Sequence, residues 1–173
     1  SSSTSSGSST SASTGSSSAS GGGSNSINGA GSTLAAPIYQ QWASNLSSQG
    51  LTVNYQGTGS GAGIAQLQAG TVDFAGSDPP MKASEIAAAK GPVAEFPIAF
   101  GAIEAVYNLS GVKSGVKLDG KTLADIFLGK VKTWNDPEIK ALNAGASLPS
   151  TAITIVHRSD SSGTTKGFTT FLS

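Results

Sequence analysis

The chain has 173 residues, of which 37% are apolar and only 12% charged, about half the charged share of an ordinary soluble domain. Ten basic residues balance ten acidic ones; this argues against nucleic acid as the main partner, since phosphate-backbone binding needs a basic surplus, and gives no reason to expect an acidic membrane surface. With no Cys, one His and one Met, disulfides, thiol catalysis, zinc–thiolate sites and a multi-histidine metal site are excluded, and no apolar run nears the roughly 20 residues that a membrane span needs.

Residues 1–26 are almost pure Ser, Gly, Thr and Ala, with neither charge nor a large apolar residue. Such a segment cannot bury enough surface to offset its chain entropy, and it is expected to be a disordered tether. A tether of this kind commonly follows a lipidated Cys, so a lipid anchor is one expectation for the start of the protein. The composition changes abruptly at Ile27. Ile27 to Gly31 reads as a short apolar entry into a turn. Leu34, Ile38 and Trp42 then fall at helical spacing behind Ser32 and Thr33, which suit a helix start. Leu51 to Tyr55 alternates as a strand, and Ile64 to Gln68 follows a Gly-rich loop as a short helix. Val72 to Ala75 is a second strand, stopped at Gly76-Ser77-Asp78-Pro79-Pro80.

Further along, Ser84 to Lys90 is an Ala-rich helix. Val93 to Phe96 and Ala102 to Asn108 read as strands. Thr122 to Leu128 puts Leu123, Ile126 and Phe127 on one helical face. Asn135-Asp136-Pro137-Glu138 is a cap with Pro at the first helical position, opening a helix to about Ala144. Ile153 to Val156 reads as a strand, Arg158 to Thr165 as a polar loop, with a helix starting near Thr164. Strands alternating with helices predict an α/β fold with a largely parallel sheet. Ser173 falls inside that last helix with no Gly, Pro or linker to mark a domain end, so the sequence is taken as a partial protein.

Three loops share one design: Gly29 to Leu34, Gly57 to Gly63, and Arg158 to Thr164. Each is rich in Gly, Ser and Thr at a helix start, where free backbone N–H groups and the helix dipole favour an anion. Hydroxyls add donors, and Arg158 supplies a planar, always charged fork suited to tetrahedral oxyanions. Together they describe a pocket for a small oxyanion. Asp78 is the odd member, because an acid suits an anion site only if the anion carries a proton. A carboxylate accepts a hydrogen bond from protonated phosphate, whereas sulfate has no such proton near neutral pH. The bland reading of Asp78 is a turn residue that caps its own backbone.

Gly29-Ala30-Gly31-Ser32-Thr33, Val53-Asn54-Tyr55-Gln56-Gly57, Val72 to Asp78, Leu118 to Leu123, Ile126 to Lys130 with Trp134-Asn135-Asp136, and Arg158 to Thr164 resemble, in order, the phosphate-binding proteins of phosphate ABC importers (the PstS family). The resemblance covers essentially all of residues 27–173. It implies an α/β fold of the type II periplasmic-binding-protein kind, two lobes with the ligand cleft between them, incomplete here at the C-terminus because family members are about twice as long. Residues 27–101 would be the first part of lobe one and 102–173 a truncated lobe two. Residue by residue, it implies phosphate donors at the Thr33 hydroxyl, the Leu34 backbone N–H and Ser60, and a proton acceptor at Asp78. From the other lobe come Arg158, Ser162, Gly163 and Thr164, with Asp160 orienting the guanidinium. Leu34 stands where the family often has Phe, a change that keeps the backbone donor.

The function implied is high-affinity binding of inorganic phosphate as the substrate-binding component of an ABC importer, with a membrane permease as partner. The expected place is the periplasmic or extracellular face of a bacterial membrane. No enzyme activity, cofactor, metal or nucleic acid is implied. The alternatives are weaker. Gly57 to Ala62 fits a Gly-x-Gly-x-x-Gly/Ala pattern with Asp78 some twenty residues on, which would suit a nucleotide-binding domain, but it leaves the other hydroxyl-rich loops unexplained. A hydrolase triad of His157, Ser162 and an Asp lacks the Gly-x-Ser-x-Gly elbow. There is no Walker A Gly-Lys-Ser/Thr. An adhesion or structural role gives Asp78 and Arg158 no purpose.

Overall fold

Ile27 to Gly31 is no entry to a turn: it lies in the middle strand of the sheet. In the computed structural model, which describes residues 25–112 and 115–173, β1 (Ser26–Gly31) is flanked on both sides by parallel neighbours, β2 (Thr52–Gly57) and β3 (Phe74–Gly76). The order is β2-β1-β3. Ser26 therefore belongs to β1, and residues 1–24 of the expected tether lie outside the described residues. The sequence of β1, Ser-Ile-Asn-Gly-Ala-Gly, carries one large apolar residue, so it shows no alternation. A strand paired on both sides and packed closely on helices can be built from small residues.

The helices follow the expected order. They are α1 (Ala36–Ser47), α2 (Ser60–Ala69), α3 (Ala83–Ala87), α4 (Gly120–Phe127), α5 (Pro137–Leu142) and α6 (Gly163–Leu172). β1 crosses through α1 to β2, and β2 crosses back through α2 to β3. Right-handed crossovers in opposite directions put the two helices on opposite faces of the sheet. On the α1 side, Tyr39 stacks on Tyr55 of β2 at 4.3 Å between ring centroids, and Phe74 of β3 lies 5.2 Å from Tyr39. On the other side, α2 presses Gly63 against β1. A Cβ at Gly63 would sit 2.6 Å from the Ala30 carbonyl oxygen, so only glycine lets the helix approach this closely.

A second apolar cluster gathers the buried Ile126, Val131, Ile139 and Leu148, with Trp134, Ile153 and Ile155 against it. Asp119 caps α4 by accepting from the Thr122 N–H at 2.7 Å, and Asp136 caps α5 by accepting from Glu138 N–H at 3.0 Å. Both acceptors satisfy a free N–H of a first turn. Buried Asp125, on α4, is held between Lys121 at 2.7 Å and Lys130 at 2.9 Å.

The three strands expected at Val93 to Phe96, Ala102 to Asn108 and Ile153 to Val156 do not form among the described residues. A strand needs a neighbour to close its ladder, which alternation alone does not supply. Ile153 and Ile155 do turn inward while Thr154 and Val156 face out. The backbone there makes one antiparallel bridge, Thr133 with Ala152, closed by Ile153 N–H to the Lys132 carbonyl at 2.8 Å and Trp134 N–H to the Thr151 carbonyl at 3.0 Å. In the other stretch Phe96, Phe100 and Val106 are 76%, 97% and 88% exposed.

Gly63→Ala is expected to lower stability by about 1–3 kcal/mol through overpacking against β1. Urea unfolding followed by circular dichroism measures this; an unshifted midpoint would mean that α2 can move off the strand freely.

Candidate functional site

Parallel strands bring the loops at their C-terminal ends to one edge of a sheet, the usual place for a ligand crevice. Here the β1 end carries Ser32, Thr33 and Leu34, the β2 end leads into Ser60, and the β3 end carries Asp78. The segment from Arg158 to Thr164 meets them from the far end of the sequence. Its α6 begins with Gly163, buried against Ser60 at the start of α2 and against Pro79. A Cβ on Gly163 would lie 2.8 Å from Pro79 Cδ and closer still to the Ser60 hydroxyl. Glycine is therefore what lets the N-termini of α2 and α6 converge, each worth roughly +0.5 of a charge.

The polar contacts form one network. Asp78 accepts from the Ser32 hydroxyl at Oδ1 and from the Thr164 hydroxyl at Oδ2, the latter at 2.8 Å. The Asp78 N–H donates to Ser60 Oγ at 3.2 Å. Arg158 grips Asp160 with two edges of its fork, Nε to Oδ1 at 2.6 Å and Nη2 to Oδ2. Its Nη1 donates to Thr33 Oγ1 at 2.9 Å, joining residues 125 apart. Gly61 N–H donates to the Ser161 carbonyl at 3.1 Å.

A hydroxyl has one proton to give. Thr33 Oγ1 accepts from Arg158, Ser60 Oγ accepts from the Asp78 N–H, and Ser162 Oγ accepts from the Thr165 N–H at 3.2 Å as the cap of α6. In each case a fixed N–H fills an acceptor site, and the hydroxyl proton is left to point at something else. The cluster thus offers hydroxyl donors, a guanidinium and two helix starts against one carboxylate that is not already gripped by an Arg. Tyr55 holds the β1 loop from behind, its OH donating to the Ser32 carbonyl at 2.9 Å. Burial, with the charges of Tyr39 and Asp78 nearby, pushes its phenol well above the usual tyrosine range and keeps it a neutral donor.

Of the residues expected at the site, Thr33, Ser60, Asp78, Arg158, Asp160, Ser162, Gly163 and Thr164 all meet at this edge. Leu34 is adjacent, its half-exposed side chain lining an apolar groove with Ile38, Phe96 and Phe100. Ser32 was not among them. It is 1% exposed and donates directly to Asp78; the Gly-Ser-Thr loop that carries Thr33 carries Ser32 as well. His157 turns its ring to the neighbouring Arg158 carbonyl at 2.9 Å. Among the described residues no group of three or more His, Cys, Asp or Glu side chains could hold a metal ion.

The Arg158 guanidinium holds the Asp160 carboxyl below the usual carboxylate range, chiefly by hydrogen bonding to its ionised form. A carboxylate with a depressed folded-state pKa adds stability that is complete above the ordinary range and fades as pH falls through the depressed value. Carboxyl-carbon NMR titration should therefore find Asp160 titrating low, and Arg158→Ala should return it toward the ordinary range. A normal Asp160 in the parent protein would break the pair.

The family model described as PBP superfamily domain matches residues 8–173. The phosphate-binding protein PstS of Pasteurella multocida is 52% identical over 139 residues, 79% of this chain and 40% of the relative. That of Haemophilus influenzae is 50% identical over the same length, covering 41% of it. The chain thus spans about two fifths of the length of the curated relatives it matches. Among solved structures, an ABC-type phosphate transport receptor from Vibrio cholerae superposes with a TM-score of 0.54 at 23% identity, covering 83% of this chain and 54% of that one. A match to the family model over this much of the sequence means that the chain belongs to the PBP superfamily.

Proposed function

We propose that the chain binds inorganic phosphate, as part of the receptor of a phosphate ABC importer. The observation that carries the reading is the convergence of Ser and Thr hydroxyls, Arg158 and two helix starts on one carboxylate that no Arg grips, Asp78. A tetrahedral oxyanion uses the donors, and only one that keeps a proton has anything to offer the carboxylate. Phosphate keeps a proton near neutral pH and sulfate does not. The names of the 52% and 50% identical relatives support the same ligand.

On this reading Thr33, Leu34 (through its backbone), Ser60, Arg158, Ser162, Gly163 and Thr164 hold the phosphate oxygens. Asp78 accepts the proton and Asp160 holds Arg158 in place. Residues 27–101 form the first part of one lobe and 102–173 part of the other, with phosphate at the seam between them. The protein binds and releases without turnover, because none of these groups is an activated nucleophile. It works outside the cell membrane, in the periplasm or on the outer face, and hands phosphate to a membrane permease; a lipid anchor is part of the proposal. No helix among the described residues is long and apolar enough to cross a membrane. A nucleotide reading of Gly57 to Ala62 finds the Gly61 N–H, a donor a pyrophosphate would need, already given to Ser161.

Isothermal titration near pH 7, with circular dichroism beside it to establish folding, is expected to give phosphate binding and sulfate exclusion. Sites built around a required hydrogen bond can reject an analogue lacking it by roughly 10⁴–10⁵. Asp78→Asn should erode that discrimination more than it weakens phosphate. Arg158→Ala should cost about 1.5–3 kcal/mol of phosphate binding, the range for a hydrogen bond to a charged group. A folded chain that ignores phosphate, or a variant without Arg158 that binds as the parent does, would refute the reading.

A further inference from the structure

Ser32 has every polar atom engaged. Its N–H donates to the Gly76 carbonyl at 2.8 Å, and its carbonyl accepts from the Tyr55 phenol at 2.9 Å. Its Oγ accepts from the Ala35 N–H at 3.2 Å. The hydroxyl proton is thereby aimed at Asp78 Oδ1, in a position 1% exposed to solvent. An ordinary helix-capping Ser has its hydroxyl proton free in water; this one is dedicated to a carboxylate 46 residues away.

We propose that Ser32 is a specificity-determining positioning residue: its hydroxyl holds the Asp78 carboxylate aimed, so that the lone pairs it leaves open face the proton of a ligand. The inference rests on the phosphate reading of the site. Its chemistry is that of a carboxylate with limited acceptor capacity. Thr164 covers Oδ2 and Ser32 covers Oδ1, and each oxygen keeps a further lone pair. Hydrogen bonds to the ionised form favour that form. An ionised Asp78 faces sulfate acceptor to acceptor. A protonated Asp78 could donate to a sulfate oxygen, and the discrimination would fail.

The charged and titratable groups around Asp78 are few. Arg158 approaches from the α6 side, with its charge largely matched by Asp160, and acts in the same sense as Ser32. Tyr55, from β2, is neutral with its pKa raised. Ser60 and Thr164, from α2 and α6, contribute a hydroxyl contact each and no charge. Ser32 is the donor on the β1 side of the carboxylate.

The test compares the parent protein with Ser32→Ala, Ser32→Cys and Asp78→Asn between pH 5 and 8. Phosphate and sulfate binding are read by titration calorimetry, and the Asp78 carboxyl by carbon NMR in the absence of either anion. Ser32→Ala is expected to shift the Asp78 carboxyl-carbon resonance, through loss of the donor at Oδ1, and to weaken the phosphate-over-sulfate ratio by about tenfold, the scale of one hydrogen bond to a charged group. Ser32→Cys, similar in size with a weaker donor, should fall between. The cysteine variant also guards against a fold defect in the alanine one, and circular dichroism checks both. If Asp78→Asn loses discrimination while folded Ser32→Ala and Ser32→Cys keep the parent's resonance and ratio, Ser32 only caps the loop and the inference is overturned. If Asp78→Asn itself keeps discrimination, the acceptor role of Asp78 fails, and the assignment of Ser32 fails with it.

Discussion

One carboxylate ties this edge of the molecule together. Asp78 accepts from the end of β1 through Ser32 and from α6 through Thr164, and its backbone donates to the start of α2 through Ser60. The partners lie 46, 86 and 18 residues away in sequence. None of the three loops needs another in order to fold as a turn, so their meeting is a tertiary fact. It depends on a side chain with an acceptor at each of two oxygens, one for the Ser32 hydroxyl and one for the Thr164 hydroxyl.

The glycines make that meeting sterically possible. Gly63 lets α2 lie against β1, and Gly163 lets α6 start against Ser60 and Pro79. Each contact brings a helix start within reach of the same spot, where its partial positive charge counts most. With side chains there, the helices would stand further off and the hydroxyls would face water. The small residues of β1 belong to the same design, trading side-chain burial for close backbone approach.

The sequence made the site more legible than the sheet. Ser, Thr, Gly and Arg at loop positions have few structural uses in combination, so the three loops, Asp78 and Arg158 stand out from residue chemistry alone, whereas Thr33 and Ser60 are singled out within them only by the family resemblance. Amphipathic helices were readable too, since α4 and α5 carry their own caps at Asp119 and Asp136. What could not be read was pairing. Ile27 to Gly31 lacks the alternation of a strand, yet it is central because β2 and β3 close on it from both sides. Val93 to Phe96 has the composition of a strand and no ladder among the described residues. Ser32 was missed for a related reason: two adjacent hydroxyls in a Gly-rich turn are equivalent in sequence, and only the turn's geometry decides which reaches Asp78.

The junction of the Arg158–Thr164 segment with the sheet edge has a further property. Its hydrogen bonds are hydroxyl to carboxylate, guanidinium to hydroxyl and amide to carbonyl, all of which water can replace. Each such bond nets only about 0.5–1.5 kcal/mol against water. An apolar seam would gain free energy with every square ångström closed, about 25 cal/mol per Å², and would favour one arrangement whatever the ligand. A polar seam is held by matching of donors and acceptors. A protonated oxyanion, which brings several acceptors and one donor, can substitute for those contacts from both sides at once. On the proposed reading phosphate draws on these same hydroxyls, the same guanidinium and the same carboxylate, so the residues that join the segments and the residues of the site are one set.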